Sequence, residues 1–271
     1  MNDIFNVRRF GLVFKKTLFE HPLQTFGVLC IAMVATFLLY HPYKCDSNSI
    51  QIGDNTPIIM TILFLSGSSL VFFLFSQFSD NAKGYNYLLL PSSYFEKWLS
   101  VLIMTCVLFL GIYLVFFRLL DSYCVNTFHN ALLANEKTHS TQWAQIYLRR
   151  VQILRYDSPD FKNIFSLFFI ITGATAVGSL YFNKNAFVKI FLTLIGLIWA
   201  FIFLNSFIPE YFFKGIHIRT HPYLIGRVII ENGGTITLKN EYINLIEILF
   251  FYCLPTILWL IALIRLREKE I

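Results

Sequence analysis

Side chains that could bind a metal are few and widely spaced in this chain. Its 271 residues include 6 His and 5 Cys. His217 and His221 stand four residues apart, a spacing that would place two zinc ligands on one helix face, but Pro222 follows at once and no third ligand is near. We therefore predict no metal site, no cofactor and no catalytic centre in this chain.

Motifs for binding nucleotides or nucleic acids are absent as well. The chain has no Gly-x-x-x-x-Gly-Lys-Ser/Thr loop, whose backbone amides hold the phosphates of ATP. Its formal net charge of +6 comes from basic residues spread over several loops, not from one basic and aromatic patch. We expect a protein that is not an enzyme and does not bind nucleic acid.

The composition points to a membrane protein. Hydrophobic residues make up 56% of the chain and charged residues only 14%. Six apolar runs are long enough to cross a hydrocarbon core of about 30 Å. They are residues 23–40, 57–78, 98–120, 164–182, 187–208 and 245–264. Because each run is apolar on every face, it is helical and not a barrel strand. The sequence predicts an all-α integral membrane protein with about six transmembrane helices in one domain, residues 1–271.

Basic residues indicate the orientation. The segment before the first run carries Arg8, Arg9, Lys15 and Lys16, whereas the first loop carries only Lys44. By the positive-inside rule the N-terminus is cytoplasmic, and six spans return the C-terminus to the same side.

The N-terminal segment has the pattern of an interfacial helix. Ile4, Val7, Gly11, Phe14 and Leu18 recur at helical spacing, and the basic residues of this segment lie off that stripe. Such a helix lies in the membrane interface with its cations at anionic headgroups. The alternative is a cytoplasmic helix packed on another subunit. The chain then turns at Pro22 into the first span.

The spans themselves offer little for ion coupling. We find no ionisable residue in mid-membrane, which disfavours a proton-driven carrier. Small and hydroxyl residues within the spans predict close helix–helix packing, at Ser66–Ser69 and at Ala174 with Gly178.

Two longer outer segments separate the later spans. The second contains two β-branched runs around Asn232-Gly233-Gly234, which predict a β-hairpin over 227–238, with an irregular loop as the alternative. Cys45 and Cys124 both fall near span ends on the predicted outer side, and they could form a disulfide if that compartment is oxidising.

The loop between the second and third spans carries the strongest local signals. Ser92 or Ser93 with Glu96 predicts a capped helix start. The apolar patch at Tyr87–Leu90 is either part of a connector on the membrane surface or a docking surface for another protein.

This loop also carries a family resemblance. Lys83-Gly84, then Tyr87-Leu88-Leu89-Leu90-Pro91-Ser92-Ser93, then Glu96-Lys97-Trp98-Leu99-Ser100 resembles a pattern that recurs in membrane proteins of Bacteroidetes-type bacteria. Those proteins are described as permease subunits similar to the type 2 family of ABC exporters. The plan of an N-terminal helix, six spans and both termini inside is similar too, whereas the long segment between spans three and four departs from it.

The resemblance implies an exporter subunit in the bacterial inner membrane. Such permeases work as homo- or heterodimers, each half engaging a separate ATP-binding cassette ATPase that performs the hydrolysis. The loop would act as the coupling helix, together with the N-terminal helix. Its partner-docking residues would be Tyr85, Tyr87, Leu90, Pro91, Phe95, Glu96 and Lys97.

Two other functions remain open from the sequence. One is a non-transporting membrane scaffold or sensor whose outer segments bind a partner. The other is a membrane-embedded enzyme, which is disfavoured because paired carboxylates and histidines facing the membrane are missing.

Overall fold

The computed structural model describes residues 5–20, 22–44, 56–76, 92–135, 159–182, 188–196, 199, 203, 218–219, 227–230, 235–237, 245 and 248–270. Most of these residues are helical. The helices are α1 (Val7–Glu20), α2 (Pro22–Lys44), α3 (Thr56–Ser76), α4 (Tyr94–Leu102), α5 (Leu110–Asn135), α6 (Pro159–Tyr181) and α7 (Leu254–Glu270). Two π-helical segments, Ile103–Phe109 and Leu249–Cys253, run directly into α5 and α7. Residues 188–196 are also helical.

Four helices are long and apolar enough to cross a membrane. They are Gln24–Pro42, Tyr94–Asn130, Ile164–Tyr181 and Leu249–Lys269, and a shorter apolar helix covers Ile59–Phe75. These helices match five of the six predicted runs in position, four of them at spanning length. The run at 187–208 extends outside the described residues.

The polarity of the bundle is that of a membrane protein. Hydroxyl side chains are buried between helices, as Thr36, Thr105 and Thr172 are, and each bonds a carbonyl of its own helix. Large apolar side chains face outward instead, including Ile31 at 70% exposure and Val115 at 63%. Because water would penalise such a surface and lipid does not, the exposed faces are suited to hydrocarbon.

The helices pack around α3 and α6. α6 lies between α3 and α7, α2 packs on α3 and α5, and α1 packs on α4. Glu96, Tyr181 and Arg265 lie at one end of this bundle, which we call the basal end. Tyr40 and Asp121 lie at the other, which we call the distal end.

Close approach between helices depends on glycines. A Cβ atom on Gly67 of α3 would lie 2.4 Å from the Phe168 ring of α6, and one on Gly178 would lie 2.6 Å from Ile190. Within the stretch Ser66–Ser69, where close packing was predicted, Gly67 is therefore the residue at which the two helices approach closely. The hydroxyls of Ser66 and Ser69 bond carbonyls one turn back in α3.

The third span is longer than the sequence predicted. The predicted run ended at Leu120, but the helix continues without interruption to Asn135 because no Gly or Pro breaks it after Gly111. As a result, Asp121 is part of a candidate span and is fully buried.

A small sheet forms in the segment before the last span. β1 (Ile218–Arg219), β2 (Arg227–Ile230) and β3 (Thr235–Thr237) are antiparallel in the order β1-β2-β3. The pairing of Val228 with Ile236 confirms the predicted hairpin. β1, which pairs Ile218 with Ile230, was not predicted.

Candidate functional site: the junction of the N-terminal helix with the third span

The start of α4 is capped as the sequence predicted. Ser93 accepts the Glu96 backbone N–H at 3.2 Å, and the Glu96 carboxylate accepts the Ser93 backbone N–H at 3.1 Å. This reciprocal capping box satisfies two N–H groups that a helix start leaves without an intrahelical partner. Glu96 is therefore held in one position at the N-terminus of α4, where the helix dipole favours a negative charge.

The same carboxylate also binds the N-terminal helix. Oε1 of Glu96 accepts the backbone N–H of Asn6 at 2.7 Å and lies 3.4 Å from Nη2 of Arg9. Asn6 in turn starts α1, because its side-chain oxygen accepts the N–H of Arg8 at 3.0 Å. Glu96 thus joins the starts of two helices that are 90 residues apart in the sequence.

Aromatic and apolar contacts surround this polar junction. The rings of Phe5 and Phe95 meet edge to face at 6.2 Å, and those of Phe95 and Trp98 lie 5.8 Å apart. Further along α1, Val13 and Thr17 are buried. With these contacts excluding water, the Glu96 side chain is fully buried whereas that of Arg9 is 38% exposed.

The buried face of α1 differs from the predicted stripe. Val7 is 74% exposed and Gly11 is exposed, so the packed face is centred on Val13 and Thr17, with Phe14 and Leu18 beside it. Ile4 lies outside the described residues. Packing against α4, with the Arg9–Glu96 contact near the start of α1, decides which residues of this helix turn towards the rest of the chain.

The outward face of α1 mixes cations with apolar side chains. Arg8, Leu12, Lys15 and Phe19 succeed one another at spacings of three and four, and all four are exposed. Lys16 is half-buried, and Arg9 is bound to Glu96. Of the four basic residues predicted for the interface, Arg8 and Lys15 are those that face fully outward.

The predicted docking residues separate into two groups. Glu96 and Lys97 are both buried within this chain, and Phe95 is half-buried. Docking by these residues stays a prediction, but Glu96 is occupied by contacts within the chain. Tyr85, Tyr87, Leu90 and Pro91 lie outside the described residues, as do His217 and His221.

The ends of the last two long helices complete the basal end. The Arg265 guanidinium lies 4.5 Å from the centre of the Tyr181 ring and pairs with Glu268. The Arg267 guanidinium lies 5.8 Å from the Tyr94 ring. The start of α4, the end of α6 and the end of α7 therefore share the end of the bundle at which α1 docks.

A tryptophan pair connects the junction to the last span. Trp98 donates its indole N–H to the carbonyl of Trp259 at 3.0 Å, and the two rings meet edge to face at 6.3 Å. One turn beyond Trp98 the third span changes to π-helical geometry at Ile103–Phe109. Such segments loosen the regular hydrogen-bond ladder and are frequent at functional sites.

The distal end has its own polar cluster. Tyr40 of α2 donates to Oδ1 of Asp121 in α5 at 2.5 Å. One turn earlier on α2 and about two turns earlier on α5, the hydroxyls of Thr36 and Tyr113 lie 2.9 Å apart. Cys124 follows on α5 and is disulfide-bonded, while Cys30, Cys106 and Cys253 are free. Cys45 lies outside the described residues, so its pairing with Cys124 stays a prediction.

Sequence reasoning identified part of this arrangement. The capping pair Ser93 and Glu96 was visible as a local motif. The partner of Glu96 was not, because nothing local links Arg9 to it, and Trp259 and Asp121 carried no pattern that pointed to a contact. Among the described residues, no three His, Cys, Asp or Glu side chains come together as a metal site.

Comparison with protein-family models, with curated proteins and with solved structures finds no match to this chain.

Proposed function

We propose that this chain is the membrane-spanning permease subunit of an ABC-type exporter, working as a dimer with a separate ATP-binding subunit. The observation that carries the proposal is the Glu96 junction. In this function the N-terminal helix and the coupling loop receive the force of ATPase closure. A joint that binds α1 to the start of the third span passes that force into the membrane.

Two features beside the junction support the same function. The π-helical segment at Ile103–Phe109 lies within the span that would be moved, where a weaker hydrogen-bond ladder eases bending. The Trp98–Trp259 contact then connects this span to the last one. A displacement at α1 would reach two spans by rigid-body movement, as alternating access requires.

The proposed topology has six spans in the bacterial inner membrane, with α1 at the cytoplasmic interface and both termini inside. The basal end is then cytoplasmic, which agrees with its surplus of Arg and Lys on α1 and α7. In intact cells, after reduction, we expect an impermeant thiol reagent to label Cys45 and not Cys253. Labelling of Cys45 only after permeabilisation would reverse the orientation.

Co-purification of an ATPase tests the function. The tagged chain is isolated from its native membrane in mild detergent, and its partners are identified by mass spectrometry. We expect an ATP-binding subunit in near-equal amount, and we expect Phe95→Asp or Leu90→Asp to remove it without loss of membrane insertion. Tyr123→Asp, an exposed change at the distal end, is the matched control. Normal co-purification of both loop variants would refute the coupling role.

One observation favours a second function, a non-transporting scaffold or sensor that binds a partner at the distal side. α4, the π-helical segment and α5 have 9, 7 and 26 residues and form one continuous helix. At 1.5 Å per residue this helix is about 60 Å long, roughly twice the hydrocarbon thickness. Its distal part would stand clear of the membrane, where it could contact another protein. A pull-down that yields a distal-side protein and no ATPase would select this function.

A further inference from the structure

A groove of about 600 Å³ opens on the side of the bundle between the third span, α6 and the last span. Its walls are formed by Trp98, Leu102, Phe165, Ser166, Phe169, Phe251, Tyr252, Pro255, Thr256, Trp259 and Leu260. All three walls belong to helices long and apolar enough to span a membrane. In a membrane these helices would place the groove at hydrocarbon depth, with lipid as the medium outside it.

The lining suits a hydrocarbon ligand. Among the lining residues that the structure describes, none is charged, and the hydroxyls are those of Ser166, Tyr252 and Thr256. That of Thr256 already donates to the carbonyl of Tyr252 at 2.6 Å. A water molecule or a polar ligand needs several convergent polar partners, whereas an apolar cavity excludes both. The volume lies within the range of ligand pockets, about 300–1,000 Å³.

The groove follows the last span. From Trp259 to Phe251 it extends over eight residues of that span, about 12 Å. An acyl chain lying along the span would contact the apolar lining over this length.

A cation lies at the basal end of the groove. Arg267 is two turns beyond Trp259, over the ring of Tyr94, which itself is one turn before Trp98. Arg267 is exposed, and it forms no ion pair with any residue that the structure describes. An exposed guanidinium is a strong ligand for phosphate, so the groove combines an apolar channel with a site for an anionic headgroup.

We propose that this groove binds one membrane phospholipid, with an acyl chain between Trp98, Phe165 and Tyr252 and its phosphate at Arg267. The lipid is a bound ligand that bridges the third and last spans. This site stands whether or not the chain engages an ATPase.

Quenching of tryptophan fluorescence tests the acyl chain. A Trp143→Phe/Trp199→Phe background leaves Trp98 and Trp259, both at the groove, as the only two of the chain's 4 Trp. The full chain is reconstituted in vesicles of phospholipid with brominated acyl chains, which quench indole emission on contact. We expect quenching in the background protein and loss of most of it in Ser166→Phe, which fills the groove.

Matched variants distinguish filling of the groove from the effect of added bulk elsewhere in the bundle. Ser68→Phe adds the same bulk on α3, outside the groove, and should leave the quenching unchanged. Leu102→Phe fills the groove from another wall and repeats the test if Ser166→Phe does not fold. Equal quenching in filled and control variants would overturn the acyl site. Absence of quenching in the background protein would also overturn it, because the groove is then closed by the chain's own residues or by a second copy.

Native mass spectrometry tests the headgroup. Protein is extracted from mixed phosphatidylglycerol and phosphatidylcholine vesicles, and the retained lipid is identified. We expect Arg267→Gln to lower the retained phosphatidylglycerol, and Arg118→Gln, which changes an exposed arginine of α5 outside the groove, to leave it unchanged. Unchanged retention in Arg267→Gln would refute the assignment of the phosphate to this residue.

Discussion

The two ends of the bundle each bury a carboxylate, but they hold it in different ways. At the basal end the Glu96 carboxylate accepts hydrogen bonds from two backbone N–H groups and forms an ion pair with Arg9. At the distal end Asp121 is met by the phenol of Tyr40. The first arrangement joins a peripheral helix to a span, and the second joins two spans.

The difference follows from where each group lies in the bundle. A buried carboxylate is costly unless charge or hydrogen bonds compensate it. α1 can bring Arg9 to Glu96 because α1 is not one of the candidate spans and the Arg9 side chain stays 38% exposed. Between α2 and α5 the phenol of Tyr40 donates to Asp121. The junction of α1 with α4 thus includes an ion pair with a partly exposed cation, whereas the described contact between α2 and α5 is a hydrogen bond from a phenol.

The largest loss of stability should follow from Glu96→Ala. This change leaves the N–H groups of Asn6 and Ser93 and the charge of Arg9 without their acceptor. Breaking a buried ion pair costs about 3–5 kcal/mol of stability. Because Arg9 is partly exposed, we expect the free energy of unfolding to fall by about 3 kcal/mol, the lower end of that range. Equilibrium unfolding in mixed micelles measures it, and proteolysis at α1 reports whether that helix detaches.

Glu268→Ala is the control for this change. Glu268 pairs with Arg265 at the same end, but its side chain is 54% exposed. An exposed pair contributes about 0–1 kcal/mol. Equal losses in the two variants would mean that the burial of Glu96 does not distinguish the junction.

A smaller loss is expected at the distal end from Tyr40→Phe. The change removes one hydrogen bond to a buried carboxylate, which costs about 1.5–3 kcal/mol. Tyr123→Phe, at an exposed position on α5, should change the stability by less than about 0.5 kcal/mol.

The two ends can also be tested together. They lie at opposite ends of the bundle and share no described partner, so Glu96→Ala and Tyr40→Phe should add to within about 0.5 kcal/mol. A larger coupling energy in the double variant would show that the two ends form one cooperative unit.

The smallest of these effects is expected in the apolar middle of the bundle, from Gly67→Ala. The added Cβ would collide with the ring of Phe168, which is itself stacked on Phe109, so the ring must shift at a cost of about 1–2 kcal/mol. Gly27→Ala meets nothing within 4 Å and should be neutral or stabilise the helix by about 0.5–1 kcal/mol. Equal unfolding midpoints for both variants would contradict the close approach of α3 and α6.

Local patterns in the sequence predicted the elements well and their contacts poorly. Apolar runs predicted the helices, Ser93 with Glu96 predicted the start of α4, and Asn232-Gly233-Gly234 predicted the hairpin, because each depends on neighbours within a few residues. The predicted end of the third span was too early, because a charged residue such as Asp121 usually marks the end of an apolar run. Its hydrogen bond from Tyr40, which lets it lie inside the bundle, is visible only in the tertiary structure. The packing of α1 on α4 was not predicted for the same reason.

The sequence by itself indicated a membrane protein, because its long apolar runs are stable as helices in lipid and not as surfaces exposed to water. It also predicted the approximate positions of most of the described helices. Tertiary structure decided which side chains meet: Arg9 with Glu96, Tyr40 with Asp121, Gly67 with Phe168, and three spans around an open groove. These contacts join residues far apart in the chain. Their free energy depends on distance and on exclusion of water, and neither is encoded in local spacing.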